Sequence, residues 1–312
     1  MVEKKKNPKV SYILTFGDPG NLSVTFARGE LNNVRFTVEK MQLSNVHISE
    51  CKKSDMLTYK HIPIITCEPA PDTWEFIKPA KDPKGNKWYN LNNLRHMSRA
   101  ISHYRALYKH GISLHVTIST GNDKIGRVKN VSLLPYLTCS PICVGSCAGD
   151  CYAGKLAAIY GSTLNAWAKN TFLAIEHSNI YWSDVNKAIT RRTKHFRFHV
   201  SGDILNEYYA AQMLLCCKTH PWCNFWTYTK KYSVVNSMYI AFQETENLNV
   251  LFSGWQELKP DNPYSFSETD IFIDETDKPN NGYICPGDCT VCIKGNTGCT
   301  NKKIKIVFFK LH

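Results

Sequence analysis

The chain has 312 residues, 43% of them hydrophobic, enough to bury one large core or two smaller ones. A formal net charge of +12 points to an anionic partner, nucleic acid first, with a solvated lysine-rich surface as the alternative. No apolar run is long enough to span a bilayer, and the basic start MVEKKKNPK lacks a signal peptide's apolar stretch, which argues against a membrane partner. Thirteen cysteines without an export signal therefore imply a reducing, cytoplasmic setting, where metal ligation outranks a disulfide framework.

In chain order, VSYILTF, LSVTFA and VRFTVE alternate apolar and polar residues between Val10 and Lys40, which predicts strands separated by Asp18-Pro19-Gly20 and by Gly29 to Asn33. Ile62 to Thr66 is a further extended stretch, and the isolated Cys51 and Cys67 read as structural. Leu91 to His110 reads as a helix with an Asn cap, ending before Gly111. Its histidines His96, His103 and His110 recur at seven-residue intervals and read as an exposed face rather than a ligand set. LHVTIST is expected to be a strand. The segment Leu156 to Thr190 is expected to be helix in two pieces, the second starting at Gly161-Ser162-Thr163.

Then come a strand from Phe196 to Val200, a helix from Asn206 to Thr219, a strand from Asn224, a helix from Val234 to Glu246 and the strand LNVLFSGW. DIFIDE from Asp270 is a further strand, and the terminal KIKIVFFKLH is expected to close or edge the sheet. Strands alternating with helices predict an α/β fold, either a partial (β/α) barrel or an open parallel sheet. The expected organisation is a β-rich region with one helix over 1–115, a β/α metal-binding core over 116–280, and a C-terminal cysteine segment with its closing strand over 281–312.

Two cysteine groups carry chemistry. In LTCSPICVGSCAGDCYAGK, Cys139, Cys143, Cys147 and Cys151 stand at every fourth position, but Pro141, Gly145 and Gly149 break any helix, so the segment reads as a loop that gathers thiolates on one point. Converging soft sulfur suits zinc or an iron–sulfur cluster. In CPGDCTVCIKGNTGC, Cys285, Cys289, Cys292 and Cys299 contain a C-x-x-C turn and fit a zinc knuckle or a second cluster equally well. Cys216, Cys217 and Cys223 read as packed core. The chemistry of a parallel sheet sits at the carboxyl ends of its strands, where both the first cysteine loop and Ser201-Gly202-Asp203 fall.

The blocks GNDKIGRVKNVSLLPYLTC, C-x-x-x-CYAGK, FRFHVSGD and FWTYT, with the terminal cysteines and closing histidine, resemble the phage gene-product-88-like family of phages, plasmids and conjugative elements. The resemblance runs in separated blocks from Ile118 to His312. That family is similar in layout to radical S-adenosylmethionine enzymes and phage three-cysteine-motif proteins, where a cysteine loop after the first strand holds a [4Fe–4S] cluster. The resemblance implies Cys139, Cys147 and Cys151 as cluster ligands, with Cys143 a spare or substitute. It places Tyr152 by the adenine of S-adenosylmethionine, and Ser201, Gly202 and Asp203 at the cosubstrate's amino group. The loop departs from the C-x-x-x-C-x-x-C spacing usual in radical enzymes.

Alternation puts Arg197 and His199 on one strand face; with Asp203 they are the candidate catalytic residues, and Thr227, Thr229 and Ser253 complete the expected cavity lining. Two functions follow. One is an iron–sulfur enzyme that cleaves S-adenosylmethionine and acts on a nucleic acid or nucleotide. The other is a non-catalytic nucleic-acid-binding protein stabilised by zinc or a cluster. A zinc hydrolase or deaminase fits less well, because no H-x-E or H-E-x-x-H accompanies the cysteines.

Overall fold

The computed structural model describes residues 11–16, 24–29, 46–51, 89–121, 125–143, 146–255, 258–273 and 279–310. Near the N-terminus, β1 (Ser11–Phe16), β2 (Val24–Gly29) and β3 (Val46–Cys51) form an antiparallel sheet with β1 in the middle. The first two strands overlap those expected. The expected strands in VRFTVE and at Ile62 to Thr66 lie outside the described residues, as does Cys67. Cys51 ends β3, opposite Ser11.

Helix α1 (Leu91–Lys109) starts where expected, because the Asn93 N–H donates to the Asn90 side chain at 3.0 Å. It buries Leu94, Met97 and Ile101 and leaves His96, His103 and His110 exposed.

The main sheet comprises β4 (Lys129–Val131), β5 (His195–Phe198), β6 (Asn224–Thr229), β7 (Leu248–Ser253), β8 (Ser267–Phe272), β9 (Tyr283–Ile284) and β10 (Ile306–Lys310). Its order is β4-β5-β6-β7-β8-β10-β9 and every pairing is parallel. With β4 and β9 at opposite edges the sheet is open, so the barrel alternative does not form. The closing strand β10 enters one place in from the edge, between β8 and β9.

One expected strand is corrected. LHVTIST joins no ladder; only Ser119 forms an isolated antiparallel bridge, with Asn130. The reason is that side chains satisfy its backbone instead. The Val116 N–H donates to Asp184, and Thr117 exchanges bonds in both directions with the Asn170 amide. The first strand of the sheet is instead the short β4, in the stretch that leads into the cysteine loop.

Helices α2 (Tyr152–Ile159), α3 (Gly161–Glu176) and α4 (Ser178–Ala188) link β4 to β5, giving three pieces where two were expected. Helix α5 (Glu207–Thr219) links β5 to β6. The expected single helix after β6 splits into α6 (Tyr232–Ser237) and α7 (Tyr239–Glu244) at Met238.

Strands β4 to β8 lie side by side in chain order, and right-handed crossovers then put their helices on one face. There the main core forms, from Phe196, Phe198, Phe225 and Phe252 of the strands against Phe172, Trp182, Tyr209 and Met213 of the helices. Each such side chain contributes roughly 1.5–3 kcal/mol on burial. Cys216, Cys217 and Cys223 belong to this core. The opposite face carries a smaller cluster of Val128, Trp226, Leu251 and Val307. It has no crossover helix, and the C-terminal segment covers it with Cys285, Ile293 and Cys299.

Candidate metal centre

The first cysteine loop follows β4 at the carboxyl ends of the parallel strands. It is pinned at both ends before any thiol is considered. The Leu134 N–H donates to Thr171 and the Thr138 hydroxyl to the Leu134 carbonyl. Pro141–Cys143 makes a 3-10 turn, and the N–H groups of Ser146 and Ala148 return to the Cys143 carbonyl. Cys151 then caps α2, its sulfur accepting the Gly154 N–H at 3.4 Å.

Folded this way, the thiols meet. Cys143 is buried, and hydrogen bonds to Cys139 and Cys147, then burial, push its thiol well up. Cys147 moves the other way, down to about 6, through its bond from Cys143 and against its own burial, helped by the Lys230 charge. Cys151 is raised to about 12 by burial and by the neighbouring Cys139 and Cys147. Cys139 and Cys147 thus act on both Cys143 and Cys151. Among the described residues, however, no group of three or more Cys, His, Asp or Glu side chains is placed so that it could hold a metal ion as it stands, at this loop or at the C-terminal cysteines.

Tyr136 holds this arrangement from behind. It adopts a left-handed backbone with φ of 63° and its hydroxyl donates to the Ala148 carbonyl at 3.3 Å. The hydroxyl fills the space where Gly154 lacks a side chain: a Cβ there would lie 1.7 Å from it. This accounts for the glycine in CYAGK. Gly154→Ala is expected to destabilise the chain by about 1–3 kcal/mol through overpacking. A urea midpoint at or above the wild-type value would exclude that role.

Two lysines face the loop from the end of β6. The Lys230 ammonium donates to Ser253 at 2.7 Å and its charge reaches Cys147. The Lys231 ammonium donates to the Leu205 carbonyl at 2.9 Å, within electrostatic reach of Cys139, Cys143, Asp203 and Glu207. Burial holds Lys231 below the usual lysine range, and those neighbours oppose the shift. Two cations beside a thiol cluster favour its anionic, ligating form.

The Ser201-Gly202-Asp203 turn lies beside them. Gly202 has φ of 78°, and a Cβ there would sit 2.6 Å from Thr138 Oγ1 and 2.7 Å from Leu133, so the turn packs directly on the cysteine loop. Ser201 accepts the Leu133 N–H through its carbonyl, while its buried hydroxyl has no partner among the described residues. Asp203 accepts the Ile204 N–H at 2.7 Å on one oxygen and the Lys230 N–H at 2.9 Å on the other. Burial raises its pKa, and the Lys231 charge partly offsets this.

A family model described as gene product 88 matches residues 116–307, from just after α1 to the start of β10, well over half of the chain. The chain belongs to the gene product 88 family. No curated protein and no solved structure matches it. The match spans the cysteine loop, the Ser-Gly-Asp turn, the lysine pair and the C-terminal cysteines together. Among the described residues of this family member, no helix is long and apolar enough to cross a membrane.

Arg197 and His199, placed together by alternation, separate onto opposite faces of the sheet. His199 has a φ of 58°, which turns it toward the main core. There its Nδ1 pairs with Thr227 at 3.1 Å and its Nε2 with the Tyr209 hydroxyl at 2.9 Å, and Tyr209 pairs in turn with Tyr181 at 2.7 Å. Thr229 meets Asp203 on that side. Arg197 instead stacks over the Tyr228 ring at 4.6 Å on the face of the C-terminal cysteines. Tyr152 exposes 53% of its surface, but its hydroxyl end is enclosed, donating to the Val200 carbonyl beside Arg197.

The C-terminal cysteines fold around α8 (Cys289–Gly295), which Asp288 caps through the Thr290 N–H at 2.8 Å. Cys299 is raised to about 12 by burial, with Cys285 and Cys289 as neighbours and the Tyr228 hydroxyl as a partner. The Cys292 sulfur lies 3.4 Å from the Tyr283 hydroxyl.

The residues missed in the sequence are Tyr136, Glu207, Lys230 and Lys231. The lysine pair had a signal, since Thr229-Lys230-Lys231 stands at the carboxyl end of the strand NFWTYT. Glu207 had none, because a carboxylate in a first helical turn is ordinary.

Proposed function

We propose that this protein is an iron–sulfur protein of a phage or mobile element, acting in the manner of radical S-adenosylmethionine enzymes on a nucleic acid or nucleotide. The observation that carries the reading is the meeting of the Cys139, Cys143, Cys147 and Cys151 thiols beside Lys230 and Lys231, at the carboxyl ends of a parallel sheet. The donor set is all sulfur with cations at its edge, which fits a [4Fe–4S] cluster better than a hard metal. When bound, the cluster supplies an electron for reductive cleavage of S-adenosylmethionine.

This chain's residues do the rest. Cys139, Cys147 and Cys151 hold the cluster, with Cys143 in reserve, and Tyr136 and Gly154 fix the loop. Lys230 and Lys231 balance the thiolate charge. Tyr152, with its ring half exposed, lies by the adenine. Asp203 positions the turn through its two backbone bonds and, beside its bond from Thr229, would accept from the cosubstrate's ammonium. The net charge of +12 suits a nucleic-acid substrate.

A second reading is a non-catalytic nucleic-acid-binding protein stabilised by zinc or a cluster. It is favoured by Asp203, whose oxygens both already serve the backbone.

Anaerobically purified protein is expected to carry iron and acid-labile sulfide with a visible sulfur-to-iron band, and to form 5′-deoxyadenosine when reduced with S-adenosylmethionine. Cys147→Ala/Cys151→Ala is expected to lose 5′-deoxyadenosine formation together with the loop's share of the iron and sulfide. Iron without 5′-deoxyadenosine above a protein-free control would move the assignment to the second reading. A loop that binds neither iron nor sulfide would end the first.

A further inference from the structure

Arg197 poses a problem of charge. Its guanidinium is protonated at any accessible pH. It lies on the sheet face away from the helices, over the Tyr228 ring. Its Nε is buried and has no hydrogen-bond partner among the described residues. Among those residues it also has no ion pair, since the only arginine in a salt bridge is Arg105, with Glu176. A buried cation without an anion is strongly disfavoured. The groups facing it that can turn negative are the phenols of Tyr228 and Tyr152 and the thiols of Cys289 and Cys299. Of these, a thiol is the group that a soft metal deprotonates outright on binding.

We infer that Cys285, Cys289, Cys292 and Cys299 form a second metal centre of net negative charge under the sheet, and that Arg197 is its counter-ion. The cluster of groups supports this independently of the guanidinium. Cys299 has Cys285 and Cys289 around it, and Tyr283 touches Cys292 beside Cys285. The sulfurs also receive the donors that metal-bound thiolates use: the Gly287 N–H on Cys285 at 3.4 Å, the Tyr283 hydroxyl at Cys292 and the Tyr228 hydroxyl at Cys299.

As the metal binds, each thiol gives its proton to water, and the sulfurs share their electron pairs with the cation. Four thiolates on a doubly charged soft centre leave an excess of negative charge, which the guanidinium balances in part. The centre also anchors the segment that covers Trp226 and Leu251, the face that no crossover helix reaches. The shared chemistry is thiolate ligation; zinc and an iron–sulfur cluster are its two sources.

The test uses the full chain carrying Cys139→Ala/Cys147→Ala/Cys151→Ala, so the loop reading has no bearing on the outcome. One metal centre per chain should remain. Iron with acid-labile sulfide identifies a cluster and zinc alone identifies a zinc site, and either supports the assignment. Adding Arg197→Met should weaken metal retention against a chelator about tenfold or more, while Arg197→Lys restores most of it with an unchanged circular dichroism spectrum. Should Arg197→Met not fold, cysteine alkylation of the unsubstituted protein replaces it. Cys285, Cys289, Cys292 and Cys299 should then be protected until chelator is added. A loop variant without metal, or four freely alkylated thiols before chelation, overturns the centre. Full metal retention in Arg197→Met overturns the counter-ion.

Discussion

Between about pH 6.5 and about pH 3, His199 alone is expected to cost the folded chain about 4–5 kcal/mol. Its imidazole is buried between Thr227 and Tyr209, and burial, with the Arg197 and Lys231 charges, lowers its pKa from 6.5 to about 3. The unfolded chain therefore takes up a proton as pH drops below about 6.5, and the native chain does not. A depressed folded value makes the contribution complete above the unfolded pKa and lost as pH falls toward the folded one. The slope approaches 1.4 kcal/mol per pH unit.

Urea unfolding of wild type and His199→Gln at a series of pH values isolates this term. Asp203 contributes with the opposite sign. Burial raises its folded pKa, so its share is present below the unfolded carboxylate value and fades as pH rises. It is common to both proteins and cancels in the difference. Parallel stability curves for the two would show that His199 is not the titrating group. The same result bears on catalysis, because an imidazole that stays neutral through this range is not an acid at neutral pH.

Much of the scaffold was legible because its signals are local. Asn90 and Asn206 cap their helices through their own side chains, and runs such as NFWTYT and LNVLFS are buried on both faces, as parallel strands are. The failures involve partners remote in sequence. LHVTIST has strand composition, but its backbone is satisfied by Asn170 and Asp184 in two later helices. Alternation failed at His199, where a left-handed residue just past the strand reverses the side chain.

At the candidate site, the breaks at Pro141 and the glycines pointed to a loop in place of a helix, and a 3-10 turn with backbone returns to the Cys143 carbonyl stands there. The spacing could not show that Lys230 and Lys231 come from a different crossover to meet the thiols. An adjacent lysine pair has the composition of solvated surface, and only the parallel order of β4, β5 and β6 brings it to the loop. The separation of Arg197 from Asp203 was equally hidden, since both faces of β5 are covered and its sequence does not say by what.

Removing Asp203 should be among the most damaging single changes in the site. Asp203→Ala strips the acceptor from two buried N–H groups, those of Ile204 and Lys230. Each orphaned donor costs roughly 1–3 kcal/mol, so the expected loss is about 2–6 kcal/mol. Asp203→Asn should fall between wild type and alanine. Its carbonyl oxygen keeps one bond, while its amide nitrogen meets the other N–H as donor against donor. The consequence extends to the cysteine loop, because the Lys230 backbone is what Asp203 holds and the Lys230 side chain is what faces Cys147. Both variants should therefore lose iron faster than wild type, and lose it in the order alanine before asparagine. Unfolding midpoints and chelator-driven release, measured on the same three proteins, check both halves. An alanine variant as stable as wild type would mean that water replaces the carboxylate, and Asp203 would then be available as a ligand for the cosubstrate alone.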